Sequence, residues 1–181
     1  IKDSGAKYSV ITSKHHDGFA LWNTNYGHLN AVSHAAAKKD VLSPLIDALK
    51  EKELKVGIYF SLPDWSSDLY THFTTSKRRY AIEQDPQRWQ QYLNYMNGQL
   101  LELKNNYTPD LWWFDGDWEH PPEAWESTKI RTSLLKGAPM CHGLCPRSTG
   151  TNRALYPCSI LYSWYGWLWS LCPSGRTARV F

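Results

Sequence analysis

The chain has 181 residues and carries 20 Lys+Arg against 17 Asp+Glu, a formal net charge of +3. That length suits an ordinary domain with a real core, and so even a balance argues against a nucleic-acid partner. No run approaches the roughly 18 apolar residues of a membrane span, so no membrane-spanning segment is expected.

The chain starts at Ile1 rather than Met, with no signal-peptide pattern ahead of the first strand-like run. The expectation is that the N-terminus of a longer protein is missing. "KYSVITS" (7–13) is β-branched and aromatic and reads as a buried strand. The loop "KHHDGFALW" follows it. "DVLSPLIDALKEKEL" then carries helix signals: Asp40 or Ser43 as cap, Pro44 in the first turn, and apolar Leu45, Ile46, Leu49 and Leu54. "KVGIYFS" (55–61) repeats the strand texture and runs into "LPDW". In "DPQRWQQYLNYMNGQLLELKNNY", Asp85 caps, Pro86 opens the helix, and Trp89, Leu93, Met96, Leu100 and Leu103 share one face. "PDLWWFD" (109–115) is a third strand, ending in "DGDWEH", and a third helix is expected around Trp125 to Leu135.

Strand alternating with helix builds a parallel sheet. Three successive strands releasing polar and aromatic residues at their C-terminal ends is the habit of a (β/α)8 barrel, and no glycine-rich phosphate loop points to a nucleotide fold instead. The fold class expected is therefore α/β: a partial (β/α)8 TIM-type barrel of about three βα units over residues 1–136, followed by an irregular C-terminal tail.

The tail, 137–181, is atypical. No Asp or Glu occurs after Glu126, and all four cysteines (Cys141, Cys145, Cys158, Cys172) lie in it. In an average chain the stretch from Ser127 onward would hold about six or seven acidic residues. A reading-frame artefact or a poorly structured terminus explains it better than a zinc site on Cys141, His142 and Cys145, for which no second ligand pair follows.

Chemistry concentrates at the strand ends. Asp115 closes an apolar strand, with Trp113 two residues back on the same side. Asp117 lies past Gly116, where the chain can turn. His15 and His16 sit at another strand end, opening onto the same face. Ten Trp and eleven Tyr exceed what packing ordinarily needs, and aromatic faces suit the apolar C–H faces of sugar rings.

"AKYSVITSKHHDGFALW", "KKDVLSPL", "GIYFSLPDW" and "YTPDLWWFDGDWE", in this order, resemble the retaining α-L-fucosidases of glycoside hydrolase family 29 over residues 1 to about 136. The resemblance implies hydrolysis of terminal α-L-fucosyl residues from fucosylated glycans or glycoconjugates. It makes Asp115 the catalytic nucleophile, His15 and His16 contacts to the sugar hydroxyls, and Trp113 part of the pocket wall. The pocket aromatic of the family's "YYS" segment falls on Tyr59 or on Phe60; if it is Phe60, the pocket lacks the hydroxyl that a tyrosine would bring. Asp17 and Trp22 are expected to shape the loop. It implies no cofactor and no metal, and family members are commonly lysosomal, periplasmic or secreted; oligomeric state is left open. The family's acid/base carboxylate lies well downstream, where this chain has nothing acidic, so no acid/base is assigned. Two rivals stand beside this reading. One is a non-catalytic fucose-binding fragment or module. The other is a metal-dependent hydrolase on His15, His16, Asp17, Asp115 and Asp117, disfavoured because adjacent residues of a strand point to opposite faces.

Overall fold

A computed structural model describes residues 1–135 together with three short strands, Met140–His142, Trp169–Leu171 and Thr177–Arg179. The sheet begins with β1 (Tyr8–Lys14). After a one-turn helix, α1 (Ala31–His34), comes α2 (Leu42–Glu51), and then β2 (Lys55–Ser61). A hairpin of β3 (His72–Thr74) and β4 (Lys77–Arg78) precedes the long α3 (Pro86–Tyr107). β5 (Leu111–Asp115) and α4 (Ser127–Leu135) complete the third repeat, and β6 (Met140–His142) adds a fourth strand to the sheet.

The order is β1-β2-β5-β6, all parallel. In β2 and β5 the register sets Ile58 against Trp112 and Phe60 against Phe114, and, one step along, Tyr59 against Trp113 and Ser61 against Asp115. Because successive side chains alternate, the first set faces the helices and the second faces away. Val56, Ile58, Phe60, Trp112 and Phe114 are buried with Leu42, Ile46 and Leu49 of α2 and the α3 stripe Trp89, Leu93, Met96, Leu100 and Leu103. Truncating one of the buried aromatics to alanine would cost about 3–5 kcal/mol.

The helices begin where the capping chemistry places them. Asp40, not Ser43, supplies the α2 cap, its Oδ1 accepting from the backbone N–H groups of Leu42 (2.8 Å) and Ser43 (3.0 Å). Asp85 accepts from the Arg88 N–H at 3.0 Å, with Pro86 at the first helical position. One expected core residue is elsewhere: Leu45 is exposed, at the outer edge of the Leu42–Ile46–Leu49 stripe, on the side of Leu42 away from Ile46.

The β3–β4 hairpin is a feature the sequence pattern does not announce. The Arg79 guanidinium holds its base, donating to the carbonyl oxygens of Trp65 (2.7 Å), Tyr70 (3.2 Å) and His72. The long loop after β1 is pinned to α3 by Glu102, whose carboxylate accepts from the Trp22 indole (3.1 Å), the Thr24 hydroxyl (2.6 Å) and the Asn25 N–H (2.8 Å). Trp22 is fully buried there.

Residues Ile1–Pro146 form one compact unit and Arg147–Phe181 another. In the second, β7 (Trp169–Leu171) pairs antiparallel with β8 (Thr177–Arg179). The remaining expectations for the tail, including the zinc reading, fall outside the described residues. Among the described residues no helix is long and apolar enough to cross a membrane.

Candidate active site

The three sequence-predicted strand ends converge. Asp115 ends β5 with its side chain on the face away from the helices, and both of its carboxylate oxygens are engaged. Oδ1 accepts the backbone N–H of Gly116 at 2.9 Å, and Oδ2 accepts the Tyr59 hydroxyl. Tyr59 therefore shares the Asp115 face of the sheet, while Phe60 points into the core and is fully buried. Trp113 stands beside Tyr59 in register, on the face of β5 that carries Asp115.

From β1, His16 brings Nε2 to 3.9 Å from Asp115 Oδ2, and its Nδ1 is hydrogen-bonded to Ser61 Oγ. Its ring also packs on Trp65, centroids 4.8 Å apart. His15 is exposed, stacked parallel to Tyr59 at 5.8 Å with 4° between the rings. The two imidazoles are neighbours at 4.3 Å.

That proximity overturns the objection that adjacent histidines must face opposite ways. β1 ends at Lys14, so strand alternation no longer governs residues 15 and 16, and the chain is turning there, with the Gly18 N–H bonded to the His15 carbonyl at 3.1 Å. His15, His16 and Asp115 can each aim a ligand atom into a space where all three lie within 4.8 Å of one another. An ion or a hydroxylated ring would be met by the same three groups. Asp17 instead accepts the Phe19 N–H at 3.1 Å and helps shape the turn.

The loop after β2 ties the other two together. Its Trp65 N–H donates to the His16 carbonyl (2.8 Å), and its Leu62 N–H donates to the Asp115 carbonyl (2.9 Å). Gly116 sits at φ 76°, and a Cβ there would meet Pro63 Cδ at 2.3 Å. Only glycine lets the chain turn this close to the β2 loop.

Behind the sheet lies a feature that sequence reasoning missed. Lys14 is fully buried, its Nζ 3.5 Å from Asp64 Oδ2 and 4.5 Å from the Phe60 ring centroid. It turns inward because the β1–β2 register shifts between Thr12 and Lys14. Asp64 also accepts from the Tyr95 hydroxyl (2.6 Å), the Ser66 hydroxyl (2.7 Å) and the N–H groups of Ser66 (3.0 Å) and Ser67 (3.1 Å). The pair thus links the residue before His15 to the residue before Trp65. Burial lowers the Lys14 pKa, with Asp64 pulling it back up. Burial opposes ionisation of Asp64 as well, but the Lys14 charge and the donors outweigh it and hold its pKa below the usual carboxylate value.

Burial, then the neighbouring His15, lowers the His16 pKa, against the opposing pull of Asp115 and Glu119. Glu119, four residues past Asp115, accepts the Tyr70 hydroxyl at 2.5 Å. A separate recess of about 240 Å³ is lined by Thr71, Arg78, Tyr80 and His120 among others, and includes none of the sequence-predicted site residues.

The family model described as Alpha-L-fucosidase matches residues 1–149. This chain belongs to the alpha-L-fucosidase family. Its relatives in that family include plasma alpha-L-fucosidase of Homo sapiens, 34% identical over 142 residues, covering 76% of this chain and 28% of that protein. Alpha-L-fucosidase of Branchiostoma floridae is also 34% identical, over 145 residues, covering 77% of this chain and 30% of its own. Among solved structures, an alpha-L-fucosidase of glycoside hydrolase family 29 from Bacteroides thetaiotaomicron superposes with a TM-score of 0.64 at 30% identity, over 77% of this chain and 31% of that one. A mutant alpha-L-fucosidase of that family from the same organism, trapped as a covalent intermediate with 2-fluoro-fucosyl fluoride, gives a TM-score of 0.62 at 30% identity, over 77% of this chain and 32% of that one. The chain thus spans roughly 30% of the length of these family members.

Proposed function

We propose that this chain carries the nucleophile half of a retaining exo-α-L-fucosidase site, with Asp115 attacking the anomeric carbon of a terminal α-L-fucosyl residue to form a covalent glycosyl-enzyme. The observation that carries the reading is the carboxylate of Asp115. It is fixed on both oxygens by Gly116 and Tyr59 and faces His16 across 3.9 Å, at the end of a strand in a chain of the alpha-L-fucosidase family. His15 and His16 hold sugar hydroxyls, and Tyr59 and Trp113 form the wall against which the ring packs. Residues 1–136 supply about three βα units of a (β/α)8 barrel; the parallel βα order and the likeness to solved family members support this.

A retaining glycosidase pairs its nucleophile with a second carboxyl roughly 5–5.5 Å away that protonates the leaving oxygen. No such partner is assigned among the described residues. General acid help is worth about 10²–10⁴-fold, so the chain by itself is expected to act poorly on natural glycosides. Leaving groups that need no proton are the exception.

The test follows from that asymmetry. 2-Fluoro-fucosyl fluoride, whose fluoride leaves unassisted, is incubated with the chain, and intact mass and peptide mapping locate the adduct. A single fucosyl adduct on Asp115, lost in Asp115→Asn, supports the proposal. Fucose binding without any adduct would favour the non-catalytic module. The metal reading predicts tight zinc binding that is lost in His15→Ala.

A further inference from the structure

Ser61 is fully buried at the end of β2, and its hydroxyl oxygen meets two groups. It lies 2.8 Å from the carbonyl oxygen of Pro63 and is hydrogen-bonded to Nδ1 of His16. A hydroxyl has one proton to give, and a carbonyl can only accept. If Ser61 turned its proton to His16, two buried oxygens would face each other at 2.8 Å with no hydrogen between them. That leaves an unsatisfied buried acceptor, a costly arrangement. The proton therefore goes to Pro63, the Ser61 oxygen is left as an acceptor, and His16 Nδ1 must carry a hydrogen.

We propose that Ser61, oriented by the Pro63 carbonyl, is a positioning residue that fixes the tautomer of His16, so that Nε2 presents a lone pair to the pocket and accepts the proton of one sugar hydroxyl. The inference rests on reading the site as a fucose pocket and specifies how that pocket tells a hydroxyl from a group that cannot donate. Nε2 looks toward Asp115 Oδ2 at 3.9 Å, and that oxygen already accepts from Tyr59. Two acceptors across such a gap form a receptor for a donor. Burial of His16 and the neighbouring His15 disfavour the imidazolium, which leaves the lone pair available at neutral pH. The arrangement is imposed by the site, because a free neutral imidazole prefers its hydrogen on the other nitrogen.

The tautomer is read directly by two-bond proton–nitrogen correlation NMR on the chain with ¹⁵N-labelled histidine at pH 7.5. The expected result is a pyrrole-type Nδ1 and a pyridine-type Nε2 for His16. In Ser61→Ala the populations shift toward hydrogen on Nε2, and Ser61→Thr, which keeps the hydroxyl, restores the original pattern. A pyrrole-type Nε2 in the unmodified chain overturns the proposal, as does a pattern unchanged in Ser61→Ala. A second readout uses fucose analogues with one hydroxyl at a time replaced by fluorine, which accepts but cannot donate. One position should lose about tenfold in affinity, and that penalty should shrink in Ser61→Ala. Equal penalties in both proteins would refute the assigned role. The NMR arm needs no ligand, so its failure leaves the Asp115 reading standing, and a missing fucosyl adduct leaves the tautomer standing.

Discussion

Lys14→Met tests whether the buried ion pair behind the sheet holds the site together. Methionine replaces most of the stem volume without the charge, so the loss is electrostatic rather than a cavity. Removing one partner of a buried pair strands the other and costs about 3–5 kcal/mol. Asp64 keeps four other donors, from Ser66 (two), Ser67 and Tyr95, which places the expected cost near the lower end, about 3 kcal/mol. With a urea m-value of about 1.5–2 kcal/mol/M for a domain this size, the midpoint followed by tryptophan fluorescence should fall by about 1.5–2 M. Lys14→Met with Asp64→Asn removes both charges and should recover most of the loss, a coupling of about 2 kcal/mol. The pH dependence has a definite sign. The folded-state pKa of Lys14 lies below its unfolded value of 10.5, so between the two the unfolded chain binds the extra proton and stability rises with pH. Lys14→Met should abolish that alkaline rise. Asp64 is depressed, so its contribution is present above the unfolded carboxylate value of about 3.9 and disappears as pH falls through the folded one. A loss below about 1 kcal/mol for Lys14→Met, or a double variant as unstable as the sum of the singles, would refute the reasoning.

Two further outcomes are expected. Gly116→Ala forces a side chain onto a φ of 76° and puts Cβ 2.3 Å from Pro63 and 3.2 Å from His16 Cε1. It should destabilise by about 1–3 kcal/mol, and a urea midpoint within error of the parent would show that the β2 loop is not held against Gly116. Burial and the neighbouring His72 push the His120 pKa down to about 4. The folded state then resists a proton the unfolded chain accepts near 6.5, so this stability is complete above 6.5 and is lost as pH falls toward 4, by about 1–2 kcal/mol once solvent screening is allowed for. An NMR titration placing His120 above 6 would contradict it, as would equal acid sensitivity in His120→Gln.

How much of this was legible in the residues depends on which force decided each feature. β1, β2 and β5 were readable because burial against helices demands apolar alternates, as Ile58 with Trp112 and Phe60 with Phe114 show. α2 and α3 were readable because Asp40 and Asp85 cap them and their stripes repeat at helical spacing. Asp115, His15 and His16 stood out as polar groups at strand ends, whereas Tyr59 entered only through the family resemblance, as an alternative to Phe60. What escaped was decided by tertiary contact. Thr71–Tyr80 has no periodicity, and its hairpin exists because Arg79 finds three carbonyls. Lys14 would ordinarily be placed in solvent, and only the register shift after Thr12 sends it inward to Asp64. The histidine pair was misjudged because strand alternation was carried two residues past the end of β1.

The nucleophile role proposed for Asp115 calls on only a short stretch of chain. Asp115 takes one hydrogen bond from the glycine that follows it and one from Tyr59 on the adjacent strand. The histidine facing it is oriented by Ser61, two residues beyond Tyr59 on that same strand. The β2 loop then bonds to the backbones of both His16 and Asp115. Apart from the Gly116 bond, each of these contacts joins neighbouring strands, so β1, β2 and β5 together hold the carboxylate and the histidine facing it. On the proposed reading, positioning a nucleophile and supplying a proton are separable tasks. That separation is why a substrate with a self-sufficient leaving group is the right probe of this chain, and why turnover of ordinary glycosides is not.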